Sequence, residues 1–353
     1  MLKVAFSPEV AVALTVIDGP PKVAEEGAVS VTVCAFFTAK PVVIVGAVLL
    51  GAALLSAQGR GQGAGGTVII EPAPKDRSVS IPKEKLAAYL KDMDAKKLQT
   101  LRMIEGGKFN VNIRRITNAE TALVHPKTVD VWVVLDGGGT LTTGGKVENG
   151  KIVGGESHTL KVGDVEFIPA GLPHGVSGVN GNITWLNVRW DTDWPADAKL
   201  GAGNAPPPAG SAPPAGGRGG RGLAVKEYAQ TDHSVAIPLE KLTAYRQEME
   251  AANSGTLRMI EGGHFNVNIR RIKEPSVEFH ANTIDTWVVL EGGGTANTGF
   301  ELKDRKAVPG TGVNQKVTVG DVMFVPSNFN HGFSAVDGVV AWLNIRWDDN
   351  YAK

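Results

Sequence analysis

One long internal repeat constrains the fold of this chain more than any other feature of its sequence. Residues 101–116 return as residues 257–272, identical except where Lys108 becomes His264. Shorter matches at a similar offset place the segment around Trp132 over the segment around Trp287. A period this long is a whole domain rather than a solenoid unit. The sequence therefore predicts two copies of one domain.

Changes in composition divide the chain into segments. We predict an N-terminal extension at 1–40, an apolar export segment at 41–57, a Gly-rich linker at 58–66, a first domain at 67–200, a Pro/Gly/Ala-rich linker at 201–222 and a second domain at 223–353. Linkers of such composition stay extended and flexible. The second linker is long enough for the two domains to pair within one chain, and a further homodimer is left open.

The apolar segment predicts export. Residues 42–57 carry no charge, follow Lys40 and end in small residues, as secretory signal peptides do. The run is shorter than the ~20 residues of a typical membrane-spanning helix. We predict a periplasmic or extracellular protein, and an uncleaved segment that tethers it to a membrane is the alternative. Because the run begins so far from Met1, we interpret residues 1 to about 30 as lying upstream of the true start.

Charge and cysteine content exclude some classes of protein. Thirty-six basic residues balance 36 acidic ones, so the basic surface that nucleic-acid binding requires is not expected. The only cysteine, Cys34, precedes the export segment. A mature form without that segment would have no disulfide and no thiolate metal site.

Within each repeat the pattern predicts one helix followed by many strands. Pro82 and the residues Leu86, Tyr89 and Met93 have helical spacing, and the second copy repeats them. The apolar period then changes to two, in β-branched and aromatic runs that are separated by glycines. Many short strands with glycine turns favour a sandwich or a barrel. We predict an all-β fold with one such domain per repeat and a short N-terminal helix on each.

Histidines and acids recur at fixed spacings in both repeats. The first copy has His125, Asp130 and Gly137, and then Gly163, Pro169, Gly171 and His174. The second copy has Glu278, His280, Asp285 and Gly292, and then Gly320, Pro326, Asn328 and His331. The arrangement resembles the two conserved motifs of the cupin superfamily, over nearly all of both repeats. The chain is similar to a bicupin, which implies two tandem double-stranded β-helix (jelly-roll) barrels.

The resemblance implies a metal site in each barrel. The family's ligand positions fall on His125, Asp130 and His174 in the first copy. In the second copy they fall on His280, Asp285 and His331. Two imidazoles and one carboxylate suit Fe, Mn, Cu, Ni or Zn, so one or two divalent ions per chain are expected.

The first histidine of the family's motif is missing from both copies. Leu123 stands there in the first repeat and Glu278 in the second. Glu278 shares a strand face with His280, so we interpret it as a fourth ligand, a group that orients His280, or a general base. The second repeat is therefore the better candidate for an active site.

Alternation along the strands also suggests cavity walls. Arg270 and Arg346 are candidate clamps for an anionic substrate, with Asn344 beside them. Trp287 is expected to share the inward face of Asp285, where it either stacks on a substrate ring or fills the core.

Three functions follow from these predictions. The first is a secreted metal-dependent oxidoreductase of dioxygenase or oxidase type, acting on a small organic or carbohydrate-derived substrate. The second is a non-catalytic ligand-binding or storage protein outside the cytoplasm. The third is a cupin decarboxylase, isomerase or lyase. One fold hosts many activities, so the motifs alone do not choose between them.

Overall fold

A computed structural model describes residues 2–5, 11–14, 33–35, 67–198, 200, 202 and 223–349. The predicted export segment and nearly all of both predicted linkers lie outside these residues. Met1–Arg60 form a unit of their own. In that unit β1 (Leu2–Ala5), β2 (Ala11–Leu14) and β3 (Val33–Ala35) make an antiparallel sheet. No helix among the described residues is long and apolar enough to span a membrane.

The first repeat folds into one helix and ten strands. The helix α1 spans Lys83–Lys96. The strands are β4 (Thr67–Pro72), β5 (Val79–Ile81), β6 (Thr100–Glu105), β7 (Phe109–Ile116), β8 (Thr128–Thr143), β9 (Lys146–Glu148), β10 (Lys151–Val153), β11 (Glu156–Lys161), β12 (Val165–Ile168) and β13 (His174–Asp191).

The second repeat has the same succession of elements with one further strand. The helix α2 spans Leu239–Ala251. The strands are β14 (Glu227–Tyr228), β15 (Val235–Ile237), β16 (Thr256–Glu261), β17 (Phe265–Ile272), β18 (Ser276–Glu278), β19 (Thr283–Thr298), β20 (Leu302–Lys303), β21 (Lys306–Ala307), β22 (Val313–Thr318), β23 (Val322–Val325) and β24 (His331–Asp348). The prediction of an all-β fold with two barrels and two short helices is confirmed.

Two long antiparallel strands form the frame of each barrel. In the first barrel β8 pairs with β13 from one end, where Thr128 faces Asp191, to the other, where Thr143 faces His174. In the second barrel β19 and β24 pair in the same way. Register shifts interrupt both pairs and bend the strands, as β-bulges do. Each long strand therefore contributes to both faces of its barrel.

A glycine is required where the long strand bends. Gly137 has a φ of 69°, and a Cβ atom there would lie 2.0 Å from the carbonyl oxygen of Asn182. Gly292 is its equivalent, with a φ of 61° and an equally close approach to Val339. Only glycine accepts both the conformation and the contact. The last glycine of the first motif is thus needed by the backbone.

Aromatic side chains fill the inner face of each barrel. Trp132 stacks on Trp185 with ring centroids 4.5 Å apart, and both are buried. Trp287 lies 5.1 Å from Trp342 and stacks on Phe333 at 5.8 Å. These rings exclude water beneath the ends of the strands where the histidines lie.

The two repeats exchange the short strand that precedes each helix. β15 of the second repeat pairs with β12 of the first, with Val235 opposite Phe167 and Ile237 opposite Val165. Reciprocally, β5 of the first repeat pairs with β23 of the second. The first sheet therefore runs β15-β12-β8-β13-β7-β6-β4 and the second β14-β16-β17-β24-β19-β23-β5. The sheets do not coincide with the sequence segments 67–200 and 223–353.

A shared apolar core lies between the two barrels. Trp190 and Trp347 stack with nearly parallel rings, 5.5 Å apart, at its centre. Phe109 of the first repeat stacks on Phe324 of the second. All four rings lie in a core that draws residues from both repeats. The apolar faces of the two sheets are thereby removed from water.

Each helix is capped by an aspartate of the other repeat. α1 begins directly after Pro82, and the backbone N–H of Lys83 donates to Asp321 at 2.9 Å. The N–H of Leu239, the first residue of α2, donates to Asp164 at 2.9 Å. A carboxylate at this position satisfies an orphan N–H and complements the helix dipole. These contacts join the two repeats as the strand exchange does.

Candidate metal centres

The second barrel brings four predicted groups together. Glu278 ends β18 and lies opposite His331, the first residue of β24. His280 follows β18 by two residues, and Asp285 lies in β19. Strand pairing therefore joins Glu278 to His331, and the side chains of His280 and Asp285 reach the same point.

Distances in this group are those of a set of ligands around one point. The Nε2 atom of His331 lies 3.4 Å from Oδ2 of Asp285, and Nε2 of His280 lies 3.8 Å from the same oxygen. Oε2 of Glu278 is 3.6 Å from Nε2 of His280. Donor atoms of Glu278, His280 and His331 all lie within 4.8 Å of one another.

The imidazole of His331 is held with Nε2 directed at the site. Its Nδ1–H donates to the carbonyl oxygen of Phe329 at 2.8 Å, because a carbonyl can only accept. Burial lowers the pKa of His331, although Asp285 and Glu278 pull it upward. A neutral ring with its proton on Nδ1 presents the lone pair of Nε2, which is the form that binds metals.

The turn before His331 is preserved although its glycine is not. Asn328 has a φ of 56°, and its counterpart Gly171 has a φ of 84°. Asn is one of the few residues that accept this region. The Asn328 N–H donates to the carbonyl oxygen of His280 at 2.7 Å, and Gly171 does the same to His125 at 2.8 Å. This bond fixes the two histidine segments of each site relative to one another.

The first barrel repeats the triad. Nε2 of His174 lies 3.8 Å from Oδ2 of Asp130, and Nε2 of His125 lies 4.0 Å from it. The Nδ1–H of His174 donates to the carbonyl oxygen of Leu172 at 2.9 Å, so its Nε2 also faces the site. Leu123 is bridged to His174 as Glu278 is to His331. The first barrel therefore has an alkyl group where the second has a carboxylate.

Each site aspartate is paired with an arginine. Arg346 Nε lies 2.7 Å from Oδ1 of Asp285, and Arg189 Nε lies 2.5 Å from Oδ1 of Asp130. Burial raises the pKa of Asp130, but Arg189, both histidines and Asn187 outweigh it and hold that pKa below its ordinary value. Arg189 favours the ionised form of Asp130. Each arginine lies against Oδ1 of its aspartate, which leaves Oδ2 towards the histidines.

Glu278 has its own arginine. Arg270 donates to Oε1 of Glu278 and to the hydroxyl of Thr256. Burial raises the pKa of Glu278, but its contact with His280 and the charge of Arg270 hold that pKa far below the usual range. A carboxylate that is so weakly basic is a poor proton acceptor. Its roles as a fourth ligand, as a group that orients His280 and as a general base stay predictions.

The residues that we predicted to bind a substrate contact other groups of the protein itself. Arg346 and Arg270 bind carboxylates of the site itself, whereas we predicted them to grip a substrate. Trp287 packs edge-on to His331, with centroids 5.6 Å apart, and is buried among the core aromatics. Asn344 is buried opposite Trp287 on β24. Their roles toward a substrate stay predictions.

Glu120 is a residue that the sequence comparison missed. It accepts from Arg114, the counterpart of Arg270, so each barrel has the same Arg–Glu pair. The acid lies six residues after the arginine in the first barrel and eight in the second. Alignment of the repeats therefore sets Leu123, not Glu120, against Glu278. The one indication in the sequence is that both repeats have the same arginine, Arg114 and Arg270, which suggests an acidic partner for each.

The donor atoms fit a metal ion. Nε2 of His280, Nε2 of His331 and Oδ2 of Asp285 are buried and have no hydrogen-bond partner among the described residues. Buried polar atoms are normally satisfied, and such a group of acceptors with no donor is explained by a cation. The set of imidazole and carboxylate donors is that of divalent transition metals.

Of the comparisons with known proteins, the one with solved structures found similar chains. No protein-family model matches the chain, and no curated protein sequence matches it. Among solved structures, the chain is similar to salicylate 1,2-dioxygenase from Pseudaminobacter salicylatoxidans, with 15% identity, a TM-score of 0.49 and coverage of 79% of this chain and 86% of that chain. A cupin 2 conserved barrel domain protein from Leptotrichia buccalis has 11% identity, a TM-score of 0.43 and coverage of 70% and 88%.

Likeness at this level carries no information on substrate or reaction. Each repeat has the strand pairing of one barrel and a group of histidine and carboxylate side chains that could hold a metal ion. The resemblance predicted from the two motifs is thus confirmed for the fold.

Proposed function

We propose that the second barrel holds a divalent transition metal and that the chain is a metal-dependent oxidoreductase of dioxygenase or oxidase type, acting on a small organic molecule. The observation that carries the proposal is the convergence of His280, Asp285 and His331 on one point, with donor atoms that are buried and otherwise unsatisfied. Two imidazoles and one carboxylate are the donor set of non-haem iron oxygenases.

Each residue of the second site would have its own role. His280, Asp285 and His331 would hold the ion, and Glu278 would be a fourth ligand. A bound ion supplies Lewis acidity and, if it is redox-active, electron transfer. Arg346 and Arg270 orient the carboxylates of Asp285 and Glu278. Trp287, Trp342 and Phe333 exclude water from the base of the site.

The first barrel would be a weaker metal site. Its triad has nearly the same distances, but Leu123 provides no fourth donor. Fewer anionic ligands lower the affinity for a divalent cation. We therefore propose one tightly bound ion per chain and a second that is lost more easily.

Metal analysis of matched variants tests the assignment. The full chain, loaded separately with Fe(II), Mn(II) and Zn(II), is analysed by inductively coupled plasma mass spectrometry after gel filtration. We expect His331→Ala to lose the tightly bound ion, because it removes a ligand with no substitute. The matched variant His174→Ala should keep that ion and lose only the weaker one. An H331A chain that is folded and retains the full metal content would contradict the proposal.

Oxygen uptake then separates the functional classes. The Fe(II)-loaded chain is tested in an oxygen electrode with small carboxylic, phenolic and sugar-derived compounds. Consumption that depends on one compound and on His331 supports the oxidoreductase. Metal binding without oxygen uptake would favour a decarboxylase, isomerase or lyase. A folded chain without any metal would favour the non-catalytic binding protein.

We propose further that residues 41–57 direct export to the periplasm or the extracellular space. The support is the uncharged apolar run behind Lys40. Intact mass of the native protein is expected to show a chain that begins near Gln58. A native chain that retains residues 41–57 in a membrane fraction would identify a tether instead, and one that retains Met1 in the soluble fraction would exclude export.

A further inference from the structure

The interior of the first barrel contains one acid that the second barrel lacks. Glu166 lies in β12 and is 1% exposed, and the equivalent residue in β23 is Met323, which is 2% exposed. By strand pairing, Glu166 lies opposite Trp132 and Met323 opposite Trp287. The two positions are thus equivalent in the fold and differ in chemistry. None of the proposed metal chemistry uses Glu166.

Glu166 has no compensating charge. No described cation forms an ion pair with it, and the neutral hydroxyl of Ser234 is the one described group that favours its charged form. Burial raises the pKa of Glu166 from 4.5 to about 7, the Ser234 hydroxyl opposes this rise and Asp164 adds to it. A buried carboxylate without a partner is strongly disfavoured, so the acid form belongs to the closed structure.

Among the described residues, no other charged group offsets the cost of ionising Glu166. Across the sheet it faces Trp132 of β8 and Ala236 of β15, which are uncharged. On its own strand Asp164 carries the wrong sign. His233, next to Ser234, is exposed and forms ion pairs with Asp232 at 2.8 Å and Glu227 at 3.3 Å. Asp130, on the same inner face, is paired with Arg189.

The strand that pairs with the Glu166 strand at the sheet edge comes from the other repeat and is joined to it by few residue pairs. β15 is the last strand of its sheet, and only three residue pairs join it to β12. The Ser234 hydroxyl adds a contact of 2.9 Å to Thr143 of β8. Edge strands with few pairs open most readily. Water can therefore reach Glu166 most easily by displacement of β15.

We infer that Glu166 is a pH-sensitive latch between the two repeats: the protonated carboxyl lets β15 dock on β12, and loss of the proton releases that strand. The step is a simple ionisation, in which the carboxyl O–H bond breaks and the proton passes to water. β15 leads directly into α2, whose first N–H is bound by Asp164. Release of β15 therefore weakens the contacts that hold β15 and the start of α2 against the first repeat.

The second barrel provides an internal control. β5 docks on β23 through three residue pairs, and the Ser78 hydroxyl contacts Thr298 at 2.7 Å. These contacts match those of β15. In β23, however, Met323 occupies the position that Glu166 has in β12. The opening of β5 should therefore not follow the ionisation of any group at this position.

The sign of the pH dependence follows from the raised pKa. The docked state binds the proton up to about pH 7, whereas a carboxyl in water loses it near 4.5. The opening equilibrium of β15 therefore increases about tenfold per pH unit between about pH 5 and pH 7, and levels off above pH 7. Opening of β15 is therefore rarer in acid than in base.

Hydrogen–deuterium exchange of the full chain, read by mass spectrometry across pH 5 to pH 8.5, tests the latch. The measured quantity is the opening of peptides covering 234–238 relative to peptides covering 78–82 in the same molecules, which cancels the pH dependence of chemical exchange. We expect this ratio to rise by as much as about two orders of magnitude and then to level off. A ratio that does not change with pH would overturn the inference.

Variants assign the effect to one carboxyl. Glu166→Gln keeps the size and removes the titration, and Glu166→Met copies the second barrel. Both are expected to give a ratio that is independent of pH, and a pH dependence that persists in E166Q would refute the role of Glu166. The reciprocal variant Met323→Glu should transfer the pH dependence to 78–82. If it does not fold, E166Q and E166M still decide the outcome.

Discussion

Replacement of Arg346 by Met is expected to lower the free energy of unfolding of the metal-free chain by about 3–5 kcal/mol. Asp285 is fully buried, and Arg346 is its cationic partner at 2.7 Å. Loss of the guanidinium leaves the carboxylate buried beside the imidazoles of His280 and His331. An uncompensated buried charge is among the most destabilising changes in a protein core.

Metal should reduce this loss. If His280, Asp285 and His331 hold a divalent cation, the ion supplies the positive charge that R346M removes. Urea unfolding of the variant with and without saturating Zn(II) measures the difference directly. Equal destabilisation in both conditions would contradict a metal bound at Asp285.

Two matched variants show whether the effect depends on the site. Arg189→Met makes the same change in the first barrel, where Arg189 pairs with Asp130 at 2.5 Å. It should destabilise the metal-free chain similarly and recover less on addition of Zn(II), because that site lacks a fourth donor. Lys316→Met breaks the exposed pair with Asp337 and should change stability by less than about 1 kcal/mol.

Conversion of Glu278 to Leu is expected to reduce the metal affinity of the second barrel about 10- to 100-fold. The substitution gives the second barrel the residue that the first has at Leu123. It removes one anionic donor and leaves His280, Asp285 and His331 in place. Isothermal titration with Zn(II), performed in an H174A background, measures the second site alone.

A control is needed for the charge of Arg270, which pairs with Glu278. In E278L Arg270 loses its partner, which could lower affinity by repelling the cation. The double variant E278L/R270M removes that charge, and Glu278→Gln keeps the shape without the negative charge. If the double variant recovers wild-type affinity, Glu278 acts by neutralising Arg270 and is not a ligand.

Much of the fold could be predicted from the sequence because its signals are local. The strand that starts at Phe109 and the strand Val165–Ile168 show in the alternation of apolar residues, and the helices show in the spacing after Pro82 and Pro238. The ends of the long strands were not predicted. β13 begins at His174, well before the apolar run at Ile183, because pairing with β8 continues across a Gly-rich stretch.

The candidate ligands were also predictable, but their partners were not. His280, Asp285 and His331 were found because the family motifs keep fixed spacings. The pairing of Arg346 with Asp285 depends on the register of β24 against β19, which no local pattern specifies. The ion pair was therefore not predicted, and the role of Arg346 as a substrate clamp stays a prediction. Glu120 was missed for the same reason.

By itself the sequence determined the duplication, the strand-rich repeats and the histidine–aspartate–histidine set in each. Periodicity, turn glycines and motif spacing are properties of neighbouring residues, and the two copies could be compared position by position. Only the tertiary structure decided that the repeats exchange β5 and β15 and that each helix is capped by the other repeat. It also decided that Glu166 is buried without a cationic partner among the described residues. These features depend on contacts between residues far apart in the chain, where pairing and burial, rather than local preference, set the free energy.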